Sequence, residues 1–93
     1  MYTVILTQRA RKDLRSLSQR DKTRIIETIW SLRDDPHRGK ILHWVLDGCY
    51  AILVWPFRIL YKIHEKIVTV EVVGIGDRKD IYEKAARRLR QPL

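Results

Sequence analysis

The sequence predicts an α+β fold of order βααβββα, a helical hairpin packed on a twisted antiparallel sheet. Three observations predict it. Two successive stretches repeat apolar residues at helical spacing, Ala10, Leu14 and Leu17 and then Ile25, Ile29 and Leu32. Three later stretches, Tyr50–Trp55, Phe57–Ile63 and Ile67–Val73, are rich in β-branched and aromatic residues and are joined by very short connections. The chain has 93 residues, which allows a single domain, 1–93, with a modest core.

Residues 2–7 are apolar and β-branched and predict a first strand. Thr7 can cap the helix that follows, whose other face carries Arg9, Arg11, Lys12, Asp13 and Arg15. Ser18 followed by Asp21 forms a relaxed capping box for a second helix, with Ile26 and Trp30 beside its apolar stripe. That helix ends at Asp34-Asp35-Pro36, because the residue before proline resists the α region. A basic loop, residues 36–40, leads to an extended segment from Ile41 to Leu46, and Asp47-Gly48 reads as a turn. The next three strands form an antiparallel meander through Trp55-Pro56 and His64-Glu65-Lys66. In the middle strand Phe57, Ile59, Tyr61 and Ile63 alternate with Arg58, Leu60 and Lys62. Gly74-Ile75-Gly76 is expected to be a flexible exit, and Asp77 to cap a last helix with Ile81, Ala85 and Leu89 on one face. The helices should cover one sheet face, leaving the half-polar face partly open.

Composition narrows the function. Nineteen Lys and Arg against eleven acids give a formal charge of +8, which suits a phosphate-rich or acidic partner. An apolar fraction of 45% argues against disorder. No apolar run approaches the ~20 residues of a membrane span. Met1–Leu6 lacks a basic leader and a small-residue cleavage site, so no signal peptide is expected, and the single Cys49 excludes an intramolecular disulfide framework. A cytoplasmic protein fits these features.

Metal and cofactor chemistry find no support: His37, His43, His64 and Cys49 lie in different segments without ligand spacing, and Gly74-x-Gly76 is too short for a phosphate loop. What remains is a set of cations and aromatics. Arg58 interrupts an apolar strand and reads either as a phosphate clamp or as a solvated strand residue. Arg78 opens the last helix, where backbone N–H groups would help it hold an anion, or where it is simply solvated. Tyr82, one turn on, can stack on a base, hold a proton or pack on the core. Lys62 and Lys79 are candidate substrate contacts, and Trp44 and Trp55 either anchor a partner or close the core.

The run Tyr50-Ala51-Ile52-Leu53-Val54-Trp55-Pro56-Phe57-Arg58-Ile59-Leu60-Tyr61 resembles the signature of the RelE/ParE toxins. There the pattern is Tyr, basic, aliphatic, basic, Val, Gly, Asp, Tyr, Arg, Val, aliphatic, Tyr. The segment Gly76-Asp77-Arg78-Lys79-Asp80-Ile81-Tyr82 is similar to the family's Gly-x-Arg…Tyr ending, and Ala10, Leu14 and Leu17 match its first helix. The resemblance covers nearly the whole chain.

The resemblance implies the toxin of a toxin–antitoxin module. RelE-type members cleave mRNA at the ribosome without a metal or cofactor; ParE-type members inhibit DNA gyrase; both are silenced by a cognate antitoxin. Arg58 would brace the scissile phosphate, Arg78 would stabilise the transition state or leaving group, and Tyr82 would stack on substrate or assist proton transfer. This chain departs from the pattern at Ala51 and Leu53, which replace two cations, and at Trp55-Pro56, which replaces Gly-Asp. Three readings follow: another base, one of the three histidines or Lys62, takes over; the toxin is weakened; or the chain is a gyrase inhibitor or a non-catalytic binding member.

Overall fold

The computed structural model describes residues 1–43, 48–77, 81–82 and 86–87. Strand β1 (Thr3–Leu6) leads into helix α1 (Gln8–Arg15) and helix α2 (Gln19–Ser31). A 3₁₀ turn at Pro36–Arg38 precedes β2 (Lys40–Ile41), β3 (Cys49–Val54) and β4 (Phe57–His64). A second 3₁₀ turn, Glu65–Ile67, leads into β5 (Thr69–Gly76). The five strands lie in the order β1-β5-β4-β3-β2. All neighbours are antiparallel except β1, which runs parallel to β5. The sheet is therefore mixed, because the helical hairpin returns the chain to β1's starting side before the meander begins.

Local chemistry sets the helix starts. Thr7 Oγ1 accepts from the Ala10 N–H at 3.1 Å. Ser18 Oγ accepts from the Asp21 N–H at 3.2 Å and donates to Asp21 Oδ2 at 3.0 Å. These are the caps the sequence predicts. The hairpin then packs Ala10, Ile25 and Ile29 onto Ile52, Phe57, Ile59, Tyr61, Val70 and Val72, all buried. Leu14 and Leu17 sit at the margin of this core.

Three expectations are corrected. Strand pairing begins at Lys40, one residue before the expected Ile41–Leu46 segment, and among the described residues runs only through Ile41, with one more bond from the Leu42 N–H to the Cys49 carbonyl; residues 44–46 lie outside the described residues. The third strand of the meander starts at Thr69 rather than Ile67, because Ile67 closes a 3₁₀ turn and Val68 adopts a left-handed φ of 47°. Gly74-Ile75-Gly76 is no flexible exit: it is strand, with Gly74 opposite Leu60 and Gly76 opposite Arg58. The start of the last helix and the positions Ala85 and Leu89 lie outside the described residues; 81–82 and 86–87 are helical.

A β-bulge decides what faces where on β5. Tyr61 pairs with Val72 but Leu60 pairs with Gly74, so Val73 is an extra residue. It flips the alternation, sending Ile75 to the helix-side core and turning Gly74 and Gly76 to the opposite face. Because β5 is longer than β1, the last part of its edge has no strand partner. Helix α1 covers it: the Thr7 N–H donates to the Val72 carbonyl at 3.0 Å, and Asp13 Oδ2 accepts from the Ile75 N–H at 3.1 Å.

The second face is partly open, as expected, and is covered around Leu60. Cys49, Ala51, Leu60 and Ile81 form a second buried cluster, with Leu42, Val73, Tyr82 and Ala86 at its edge. Strand β4 is thus buried on both faces around Leu60, while Arg58 and Lys62 on the second face stay half-buried.

Tyr61 is fully buried, and its hydroxyl donates to the Pro36 carbonyl at 2.8 Å and accepts from the Gly39 N–H at 2.9 Å. A Cβ at Gly39 would lie 2.5 Å from that hydroxyl and 2.9 Å from the Ala51 carbonyl. Gly39→Ala is expected to cost about 2–4 kcal/mol in urea unfolding through overpacking and a broken bond. The penalty should be smaller in a Tyr61→Phe background, where the nearest clashing atom is gone.

Burial raises the Tyr61 pKa above 10.0, partly opposed by the Gly39 N–H. The unfolded chain therefore loses this proton first. Stability from the buried phenol is complete below pH 10.0 and falls as pH rises beyond it. Denaturation midpoints measured across that range should fall more steeply for the native chain than for Tyr61→Phe.

Candidate functional site

The site lies on the sheet face away from the helices, at the β3–β4 hairpin end. Alternation along β4 places Arg58 there with Leu60 and Lys62, as the sequence predicts. Arg58 pairs with Leu53 on β3 and with Gly76 on β5, so a row of leucine, arginine and glycine crosses three strands. Arg58 is half-buried, and among the described residues no carboxylate pairs with it.

Tyr82 comes to Arg58 from a different element: the guanidinium carbon lies 5.8 Å from the tyrosine ring centroid. Gly76 allows this approach. A Cβ there would stand 2.9–3.0 Å from three side-chain carbons of Ile81, which is itself buried against Leu60, Cys49 and Ala51. Ile81 thus seats the last segment on the sheet, and Tyr82 follows onto Arg58. Arg78, Lys79 and Trp44 lie outside the described residues.

Lys62 shares the face of Arg58 but stands four residues further along β4, about 13 Å away. The two cations are therefore too far apart to converge on one group. The histidines are further still. His64 is six residues from Arg58, about 20 Å along the strand, and its Nε2 is engaged with Glu71 Oε1 at 3.0 Å. His43 follows Leu42, past the Cys49 end of β3. His37 belongs to the helix side, where it lies 3.3 Å from the Tyr50 hydroxyl and 3.1 Å from Glu65 Oε1. The Tyr2 hydroxyl donates to the other Glu65 oxygen at 2.6 Å, and this bond raises the Tyr2 pKa. None of the histidines is placed to act as a base at Arg58.

The substituted positions differ in kind. Ala51 is only 8% exposed and belongs to the second cluster, so its methyl group packs there and offers nothing to a ligand. Leu53 is 57% exposed and lies directly beside Arg58. Trp55, 72% exposed, sits at the hairpin tip with a cis bond to Pro56. Its carbonyl accepts from Arg24 Nη2 at 2.6 Å, which ties the tip to α2. Sequence reasoning placed Ile81 on an apolar helix face and Gly76 in a flexible exit but gave neither a part in the site, and it missed Arg24. The bulge at Val73, which aims Gly76, leaves no mark in local composition.

Residues 4–82 match the model of the ParE toxin of type II toxin–antitoxin systems. The chain belongs to the RelE/ParE superfamily of toxins. It is 34% identical to toxin RelG of Mycobacterium tuberculosis over 85 residues, 89% of this chain and 98% of that one. Among solved structures it resembles the toxin–antitoxin complex RelBE2 of M. tuberculosis, with TM-score 0.78 and 33% identity, covering 83% of this chain and 98% of the other. The isolated RelE toxin of Escherichia coli shares the fold, with TM-score 0.73, 22% identity and coverage of 96% and 99%. The sheet arginine and the tyrosine of this toxin chain are thus brought together. No described helix is long and apolar enough to cross a membrane.

Gly76→Ala is expected to displace Ile81 and cost about 1–3 kcal/mol. Amide exchange at Ile81 and Tyr82 should speed up well before that of β4, which stays paired on both edges.

Proposed function

We propose that the chain is a RelE-type, ribosome-dependent endoribonuclease acting in the cytoplasm and silenced by a cognate antitoxin. The observation that carries this is Arg58, without a carboxylate partner among the described residues, beneath the Tyr82 ring in a chain of charge +8. An unneutralised guanidinium beside an aromatic ring is suited to a phosphate and its adjoining base.

The reaction needs no metal or cofactor. The 2′-hydroxyl oxygen bonds to the adjacent phosphorus, and the bond to the 5′-oxygen breaks. The products are a 2′,3′-cyclic phosphate and a 5′-hydroxyl; the proton lost by the 2′-oxygen goes to a base, and one is returned to the leaving oxygen. Arg58 braces the phosphate, Arg78 stabilises the developing charge, and Tyr82 stacks on the base or passes a proton. Lys62 and Lys79 hold flanking phosphates. The base is sought outside the three histidines.

The antitoxin reading is supported by the complex formed by the M. tuberculosis relative. Strand β1 is the edge of the sheet among the described residues, and Val4, Leu6, Leu14, Ile26, Ile29 and Trp30 line an apolar groove of about 230 Å³ beside it. An acidic segment that folds on binding would complement both the groove and the charge.

A gyrase-inhibiting reading is favoured by one observation: buried Ala51 and apolar Leu53 stand where the ribonucleases of the superfamily carry cations. In that reading Trp44 and Trp55 contact protein.

Cleavage of mRNA on programmed ribosomes tests the proposal. Arg58→Ala and Arg78→Ala should each slow cutting by ~10²–10³ at unchanged fold. No cutting by the folded native chain, with loss of supercoiling in a gyrase assay, would transfer the assignment to the second reading. Lys62→Ala should weaken RNA binding and lower the slope of log affinity against log salt by about 0.7, the share of one phosphate contact on a single strand.

A further inference from the structure

Leu53 and Trp55 are large apolar side chains that the fold leaves in water at the rim of the Arg58 site. Both positions are built rather than frayed. Leu53 is strand-paired to Arg58, and the Trp55 backbone is tied to α2 by Arg24. Neither side chain belongs to either core cluster, so their exposure is not needed for packing. Trp55 follows the end of β3 in the turn, two residues beyond Leu53 and three before Arg58, so the exposed pair and the guanidinium belong to one end of one hairpin.

We infer that Leu53 and Trp55 form a nucleobase platform, Trp55 stacking on an unpaired base next to the phosphate held by Arg58. The occupant is single-stranded RNA. The argument is one of complementarity. The chain carries +8, so its partner is anionic. An exposed aromatic near a cation that has no carboxylate partner among the described residues matches a partner that alternates π-faces with phosphates, and a paired duplex hides those faces. The substituted position therefore changes the mode of recognition, from charge on the backbone to stacking on the base. This takes its ligand class from the ribonuclease reading above.

The test uses a short 2′-O-methyl oligoadenylate, which cannot be cleaved, and an abasic strand of the same phosphate count. Tryptophan fluorescence of the native chain should be quenched by the adenylate, and that quenching should be lost in Trp55→Phe. Trp55→Ala should bind the adenylate about 5- to 150-fold more weakly, with Trp55→Phe restoring much of the affinity, while the abasic strand binds all three alike. Leu53→Ala should give a smaller loss of the same kind. Thermal melts of the variants should match the native chain, since neither side chain is buried.

Equal binding of adenylate and abasic strand by native chain and Trp55→Ala overturns the inference. So does the absence of binding to both, which would assign this rim to a protein partner. The two proposals separate cleanly. Ribosomal mRNA cutting with no base-dependence at Trp55 removes the platform alone; base-dependent quenching without cutting removes the nuclease alone.

Discussion

The middle of strand β4, from Ile59 to Tyr61, has to be dry on both sides, and the rest of the chain is arranged around that demand. On one face Phe57, Ile59 and Tyr61 require a lid of helices; on the other Leu60 requires a second lid. The helical hairpin supplies the first and Ile81 with its neighbours the second. Tyr61 sharpens the constraint, because it carries a hydroxyl into the core. That hydroxyl is bonded twice, to the Pro36 carbonyl and the Gly39 amide, so the basic loop after α2 is drawn against the sheet. An unbonded hydroxyl at this depth would cost about 1–3 kcal/mol.

The site follows from the point where the second lid stops. Leu60 is covered, and Arg58, one alternation nearer the hairpin, lies at the rim of that cover. A guanidinium at the edge of a dry cluster keeps its charge accessible while losing part of its water, which strengthens its attraction for an anion. The ring of Tyr82 adds an apolar wall without neutralising it. The same geometry separates His64 from Arg58, since a strand rises about 3.3 Å per residue and His64 stands six residues further along β4.

The chemistry of the family usually places cations on β3 beside the arginine. Here one of these positions, Ala51, is closed by the second lid, and the other, Leu53, is open but apolar. The two changes therefore have different weight. Ala51 belongs with the packing of Leu60 and Ile81; Leu53 belongs with the exposed Trp55 and with whatever lies on Arg58.

The sequence by itself determined the caps at Thr7 and Ser18, the apolar stripes of both helices, the pairing of β3 with β4, and the side of the sheet on which Arg58 stands. These are properties of periods and neighbours within a few residues, where steric and hydrogen-bonding preferences are local. It also carried the superfamily, through the run from Tyr50 to Tyr61 and the ending at Tyr82. Only the tertiary structure decided that β1 runs parallel to β5, that the last two glycines are strand, and that Asp13 satisfies the edge left beyond β1. It alone decided that Ala51 is buried while Leu53 is not. The reason is common to all four. Each depends on residues distant in sequence, chiefly the bulge at Val73 and the seating of Ile81 on Gly76, and a local pattern holds no record of what will be folded over it.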